Sequence, residues 1–363
     1  MKINTRKEIE EVRPYNLGKS PEDIKNEYGL QVIQKMSDNE NVYGCTTDVE
    51  KELTHSIKQL HSYPDGITTV LTENLASFYQ LNQNQFLIGN GSEEIIRLLT
   101  RGYISSGDEV IIADPTFPRY EANAIIEGGI LVKVPLRDGK HDLRAMVEAI
   151  SIRTKMIFVC NPNNPTGTIV GKDELFQFIK TIPNHIIVVI DEAYFEYVMT
   201  DDYLKTHTLL DRFANLVILR TFSKVYGLAA LRVGYGMMSP DFVQQLMKVK
   251  DVFNVNQLAQ NAARVALNDQ HFVKECAKKN QLEREFVTRK LIEMDYKVYP
   301  SETNFLYACS EHPVAEKLQK KGMLVRAFSQ PNGGEAIRVT LGTREENIAF
   351  LHVIGMLKKE RVV

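Results

Sequence analysis

Neither sign of charge dominates this sequence: 44 lysines and arginines face 46 aspartates and glutamates, a formal net charge of −2 over 363 residues. That balance gives no electrostatic footprint for nucleic acid or an anionic membrane surface, and neither is expected as a partner. No apolar run is long enough to span a bilayer. The first residues, MKINTRKEIEEVRPY, mix charges of both signs and lack the apolar core of a secretory signal, so a cytoplasmic location is expected. Cysteines are few. Cys45, Cys160, Cys276 and Cys309 lie far apart with no CxxC pair, which argues against a disulfide framework and suits a reducing compartment. The eight histidines are scattered without HExxH or similar ligand spacing, so no metal site is expected. A GxxxxGK[ST] loop is missing, which disfavours a P-loop nucleotide enzyme. Internal repeats and low-complexity segments are missing too.

What remains is an ordinary globular composition, 44% hydrophobic and 25% charged, in a chain long enough for a large core and two domains. Through the middle of the chain, short apolar runs alternate with helix-like stretches, the signature of an α/β sheet covered on both faces. The clearest runs, residues 110–113, 156–160, 186–190 and 216–219, are continuous rather than alternating, as expected of strands buried on both sides. Ligands in such sheets sit beyond the carboxyl ends of the strands. Polar residues follow every one of the four runs: Asp-Pro-Thr-Phe117-Pro, then Asn-Pro-Asn-Asn164-Pro-Thr-Gly, then Asp191-Glu-Ala-Tyr194, then Arg-Thr221-Phe-Ser223-Lys224. Four such endings point to one shared site. From about residue 261 the sequence becomes charged and amphipathic (QLEREFVTRKLIEM), followed by short β-like runs at 305–308 and 336–341. The expected division is an amino-terminal arm with part of the small domain at 1–35, a large domain at 36–260 and a smaller α+β domain at 261–363.

Each candidate side chain has an ordinary reading and a chemical one. Lys224 on an exposed turn would be solvated and inert; at a strand end inside a cleft it loses solvation, its pKa falls, and the amine becomes available for a Schiff base. Thr221 and Ser223 would bring hydroxyls to the same point, and Arg232 a permanently charged fork suited to a phosphate. Asp191 could be a cap or an ion-pair partner. As a buried carboxylate it could instead hold a heterocyclic nitrogen protonated, so that the ring acts as an electron sink. Tyr194 could donate to a ring oxygen, and Asn164 could present its amide there rather than serve only a turn. Phe117 could pack in the core or stack on a flat ligand. Ser92 could cap the following helix, or the free amides of Ser92 and Glu93 could hold a phosphate at the helix start.

In this order the chain carries Arg13-Pro-Tyr15, Asp38-Asn-Glu-Asn41, Ser62-Tyr63-Pro-Asp-Gly66, Gly89-Asn-Gly-Ser-Glu93, Pro162-Asn-Asn-Pro-Thr-Gly167, Asp191-Glu-Ala-Tyr194, Ser223-Lys224 and Arg232. Ser301-Glu-Thr-Asn304, Val325-Arg326 and Ile337-Arg338-Val-Thr follow. Over nearly its full length it resembles the fold-type I pyridoxal-phosphate aminotransferases, and within them the histidinol-phosphate aminotransferases. The Asn-Pro-Thr-Gly, Asp-x-x-Tyr and Ser-Lys set carries the superfamily resemblance, and the Arg-Pro-Tyr and Tyr-Pro-Asp-Gly segments the narrower one.

The resemblance implies pyridoxal 5'-phosphate as cofactor, held in the large domain of an α/β fold and attached covalently through Lys224. It further implies that Asp191 pairs with the ring nitrogen, that Asn164 and Tyr194 bond the ring oxygen, and that Phe117 stacks where many relatives have tyrosine. Ser92, Glu93, Thr221, Ser223 and Arg232 would surround the phosphate, with Tyr63 reaching it from the second subunit of a homodimer. For the substrates, an amino donor and a keto acceptor, it implies Arg338 on the α-carboxylate, Arg326 on a distal anionic group, Asn41 nearby, and Tyr15 on an arm that closes the site. The implied reaction interconverts histidinol phosphate plus 2-oxoglutarate with imidazole-acetol phosphate plus glutamate, in histidine biosynthesis. Rival readings are an aromatic amino-acid aminotransferase, a decarboxylase of a phosphorylated amino acid, and a non-enzymatic binding protein on the same fold.

Overall fold

Period-two burial explains why the central strands read as unbroken apolar runs. In a pleated strand successive side chains point to opposite faces. Along Thr154–Cys160, Ile187–Asp191 and Leu216–Thr221, the residues Ile157, Val159, Val188, Ile190 and Ile218 enter one hydrophobic core. Their neighbours Met156, Phe158, Ile187, Val189, Val217 and Leu219 enter a second core on the opposite face. Helices cover both faces, so neither set of positions can be polar.

The computed structural model describes residues 3–16, 18–330 and 333–360. Its large sheet has seven strands: β1 (Phe86–Gly89), β2 (Glu109–Asp114), β3 (Ile130–Pro135), β4 (Thr154–Cys160), β5 (Ile187–Asp191), β6 (Leu216–Thr221) and β7 (Gly234–Met237). Their order is β1-β7-β6-β5-β4-β2-β3. Only β7 runs against the rest, so the sheet is mostly parallel. The carboxyl ends of β2, β4, β5 and β6 therefore open on the same edge, where the sequence puts its polar residues. Among the described residues no helix is long and apolar enough to cross a membrane.

A smaller antiparallel sheet follows, β8 (Lys297–Val298), β9 (Phe305–Ser310), β10 (Arg326–Ser329) and β11 (Glu335–Thr340), in the order β10-β11-β9-β8. Leu306, Ala308, Ile337 and Val339 pack there with Val287, Leu291, Phe350 and Ile354 in a third core. Helices and antiparallel strands together make this unit α+β.

The two units do not divide at residues 36 and 260 as the sequence suggests. Gln34–Lys35 pairs with Met323–Leu324, and Met36 lies in the third core. At the other end, the helix Gln257–Asn268 continues past residue 260 and buries Ala259, Ala262, Ala263 and Ala266 in a core of the large sheet. The next helix, Gln270–Glu293, bridges the units. Val273, Cys276 and Ala277 pack on the large side, and Val287 and Leu291 on the small side. Apolar faces, rather than a break in composition, set these limits.

Candidate active site

Asp191 is the last residue of β5 and is buried, which places a carboxylate at the floor of the strand-end opening. Burying an ionised carboxylate is costly, and here burial pushes its pKa up to about 6. Two hydrogen bonds offset part of that cost: the Tyr120 hydroxyl donates to Oδ2 at 2.6 Å and the Ala193 amide to Oδ1 at 3.1 Å. Tyr120 is itself held by stacking on Phe158, ring centroids 4.6 Å apart, and by edge contact with Phe117 at 5.5 Å.

Lys224 follows β6 and reaches the same opening. Its Nζ donates to the Asp38 carbonyl at 3.3 Å and lies 5.6 Å from the centre of the Tyr194 ring. Burial first, then the positive charge of Arg338, bring its pKa down to about 8, while Asp38 opposes the change. An amine so depressed has an appreciable neutral fraction near pH 7, the condition for nucleophilic attack on a carbonyl.

Opposite the lysine, Tyr194 Oη accepts from Asn39 Nδ2 at 2.9 Å and is 3.5 Å from Asn164 Nδ2. Asn164 Oδ1 accepts from Arg338 Nη1 at 2.7 Å, and Arg338 Nη2 donates to the Ser37 carbonyl. Arg338 is buried and its Nε has no hydrogen-bond partner, a donor left over for an anion. The preceding asparagine does something different: Asn163 accepts from Thr116 Oγ1 at 2.8 Å and donates to Thr166 Oγ1 at 2.9 Å, tying the loop together.

A helix start that could hold an anion lies at the third side. The helix Ser92–Tyr103 starts directly after Gly91, which is the cap residue in place of Ser92 and has no side chain to occupy the free amides. Gly91 has φ +81°, and a Cβ there would lie 2.8 Å from Arg232 Nη2. At Gly234 a Cβ would lie 2.5 Å from the Ser92 amide nitrogen, so both glycines make room for this approach. Arg232 Nη1 donates to Ser223 Oγ at 3.3 Å, and the Ser223 amide donates to Thr221 Oγ1 at 3.0 Å. Glu93 pairs through its side chain with Arg119, 2.6 Å away.

These groups share one cavity of about 560 Å³. Of the residues singled out by sequence, it gathers Tyr15, Ser92, Glu93, Phe117, Asn164 and Asp191, together with Tyr194, Thr221, Ser223, Lys224, Arg232 and Arg338. Three lie elsewhere. Asn41 turns away from the cavity, its amide donating to the carbonyls of Val225 (2.8 Å) and Gly44 (3.2 Å); Asn39, two residues earlier, lines it instead. Arg326 lines an adjoining cavity of about 680 Å³ under the amino-terminal arm, with its guanidinium 5.0 Å from the Tyr15 ring centre. Tyr63 is 83% exposed and stacks on Phe253, ring centroids 4.8 Å apart. Sequence reasoning missed Tyr120, Asp38, Asn39 and Arg119. Asp38 and Asn39 carried a signal, since they stand in the Asp38-Asn-Glu-Asn41 segment of the resemblance; Tyr120 and Arg119 carried none.

The donor set fits a flat, phosphate-bearing pyridine. A buried carboxylate can meet a ring nitrogen, a phenol and an amide a ring oxygen, a depressed lysine a carbonyl carbon, and the glycine-lined helix start with Arg232 a phosphate. The profile of the family described as aminotransferase class I and II matches residues 32–354. The chain belongs to that family. Among relatives of the class I and II aminotransferases, it is 40% identical over 364 residues to histidinol-phosphate aminotransferase of Geobacillus sp. strain WCH70, covering 99% of both chains. It is 42% identical over 365 residues to that of Geobacillus thermodenitrificans strain NG80-2, again over 99% of each. The crystal structure of histidinol-phosphate aminotransferase from Sinorhizobium meliloti in complex with pyridoxal-5'-phosphate matches its fold with a TM-score of 0.89 at 24% identity, over 97% of this chain and 98% of that one. The fold is thus the fold-type I aminotransferase fold.

Proposed function

We propose that this chain is a pyridoxal-phosphate-dependent histidinol-phosphate aminotransferase acting in histidine biosynthesis. The observation that carries the reading is the convergence of Lys224, Asp191, Tyr194, Asn164 and Arg338 on one cavity, in a chain 40% identical to enzymes of that name along its whole length. When bound, pyridoxal phosphate supplies an electron sink that makes the α-proton of an amino substrate acidic.

The chain's own residues do the rest. Lys224 would hold the group through its amine, and that amine is placed to carry a proton at the substrate α-carbon. Asp191, ionised at neutral pH with a pKa near 6, keeps the ring nitrogen protonated. Tyr194 donates to the ring oxygen, and Asn164 bonds there while accepting from Arg338. Phe117 stacks on the ring. The amides of Ser92 and Glu93, the hydroxyls of Thr221 and Ser223, and Arg232 hold the phosphate. Arg338 binds the anionic head of each substrate with its spare donor, and Arg326 meets a second anionic group from the adjoining cavity. Tyr15 closes the site from the arm.

The same reading makes the protein a cytoplasmic homodimer. Exposed apolar side chains flank the place where Tyr63 stacks on Phe253: Val252 precedes Phe253 in the chain and Ile67 follows Gly66, which adjoins the Phe253 ring, and they are 77% and 65% exposed. That surface suits a second copy, whose cavity Tyr63 would enter. Amino donors assayed against 2-oxoglutarate, ranked by kcat/KM, test the substrate. Histidinol phosphate is expected to lead; phenylalanine or tyrosine clearly ahead would make the chain an aromatic aminotransferase, and carbon dioxide release would make it a decarboxylase.

A further inference from the structure

Asn39 is 1% exposed and has φ +58°, a left-handed backbone that asparagine tolerates better than most side chains. Its hydrogen bonds have a fixed direction. The Asn39 amide N–H donates to Thr340 Oγ1 at 2.9 Å. The threonine hydroxyl then turns its own hydrogen to Asn39 Oδ1, 3.1 Å away. This marks Oδ1 as the accepting end of the side-chain amide and Nδ2 as the donating end, which meets Tyr194 Oη at 2.9 Å. On the other side, Arg338 fixes Asn164 in the same sense, with Nδ2 towards the phenol. A phenol has one hydrogen and two lone pairs. With amide donors facing its oxygen, and no acceptor for its hydrogen among the described residues, the Tyr194 hydroxyl can only donate into the cavity.

We infer that Asn39 is a positioning residue: it locks Tyr194 as a hydrogen-bond donor towards the ligand and ties that phenol to the strand carrying Arg338. Thr340 lies two residues beyond Arg338 on β11, on the same face of the strand. Arg338 also holds the carbonyl of Ser37, two residues before Asn39. An anion engaging Arg338 is therefore linked to the phenol by two routes, through Asn164 and through Thr340 and Asn39. The assignment rests on the reading of Tyr194 as partner of the cofactor's ring oxygen. Burial makes the phenol hold its proton more tightly, and the Arg338 charge and the Asn39 bond both oppose this. Without the Asn39 donor, Tyr194 stabilises an anionic ring oxygen less, and the bound cofactor keeps its proton to higher pH.

The test is a pH titration of the visible absorbance of the protein reconstituted with pyridoxal phosphate. Asn39→Gly keeps the left-handed backbone and removes the amide, so a purely conformational role predicts the parental titration. The expected result is a transition moved upward by about one pH unit, the scale of one lost hydrogen bond. Asn39→Asp, with an acceptor in place of the donor, should move it at least as far, and Thr340→Val, which unlocks the amide, less far in the same direction. Thermal melting identifies the variants that fold; if neither Asn39 variant does, Thr340→Val decides. Tyr194→Phe separates the two claims. A shift there with none in the Asn39 or Thr340 variants overturns the role of Asn39 and leaves the cofactor reading standing. A parental titration in Tyr194→Phe as well overturns both.

Discussion

The two halves of the site are assembled in different ways. On the large sheet, Asp191 and Lys224 each follow a buried strand by zero to three residues, so strand geometry delivers them to the same edge. On the small unit, Arg338 and the segment 37–41 meet only because residues 34–36 pair with Met323–Leu324 and the Thr340 amide of β11 donates to the Met36 carbonyl; Asn39 and Thr340 are separated by 301 residues. The first half is local chemistry at the ends of parallel strands. The second depends on long-range pairing, and in the proposed function it is the half that would face the substrate's anionic end. That reading divides the labour: the large sheet would set how the cofactor behaves, and the small unit what is admitted.

The largest effect that would sharpen this contrast belongs to Arg338. Arg338→Ala should lower kcat/KM for anionic substrates by on the order of 10²-fold, the scale of a lost charge-assisted hydrogen-bond pair. The absorbance of the bound cofactor should persist in that variant. Arg326→Ala should cost less, and mainly for substrates with a second anionic group; equal losses on neutral and anionic substrates would break the comparison. Steady-state kinetics over such a panel reads both.

Asp191 gives a prediction for the cofactor-free protein. Its folded pKa, about 6, lies above the ordinary carboxylate value of 3.8, so the folded chain binds this proton more tightly than the unfolded one. The folded state therefore loses stability as pH rises from about 4 to about 6, and the penalty is complete above that window. Asp191→Asn cannot ionise. Relative to the parent, its unfolding free energy should improve by up to about 3 kcal/mol between pH 4 and pH 7. Urea denaturation at the two pH values measures it, and a gap independent of pH would show that burial does not strain this carboxylate.

The smallest effect is at Tyr63. Tyr63→Ala should weaken cofactor affinity by roughly tenfold, one hydrogen bond to a charged group, with the fold unaltered. Mixing it with an inactive Lys224→Ala chain adds a sharper readout. If Tyr63 acts across subunits, mixed dimers contain one site that has both residues, and at limiting cofactor activity above either variant alone should appear.

What was legible in the sequence follows the same division. Continuous apolar runs with polar endings disclosed β2, β4, β5 and β6 and the side chains at their ends, because a doubly covered strand leaves both its faces no choice of residue. The domain limits were not legible. The helix Gln257–Asn268 buries its alanines on the large unit with no Pro or Gly break near residue 260 to announce it. Nor did the sequence distinguish Asn39 from Asn41. Both lie in one polar segment, and which asparagine enters the cavity is decided by the left-handed turn at Asn39 and its partner Thr340. Tyr120 was hidden for another reason: its hydroxyl is spent on Asp191, a contact between the starts of two different crossovers.

The central claim, that amino transfer runs through Lys224, is tested most directly by a single-turnover reaction. Parent and Lys224→Ala proteins are loaded with pyridoxal phosphate, mixed with glutamate, and followed by absorbance and by 2-oxoglutarate formed. The parent should convert one equivalent per site, and the variant should be slower by on the order of 10⁴-fold, the upper range for removing a positioned proton carrier. A Lys224→Ala protein that forms 2-oxoglutarate at the parental rate would contradict the account.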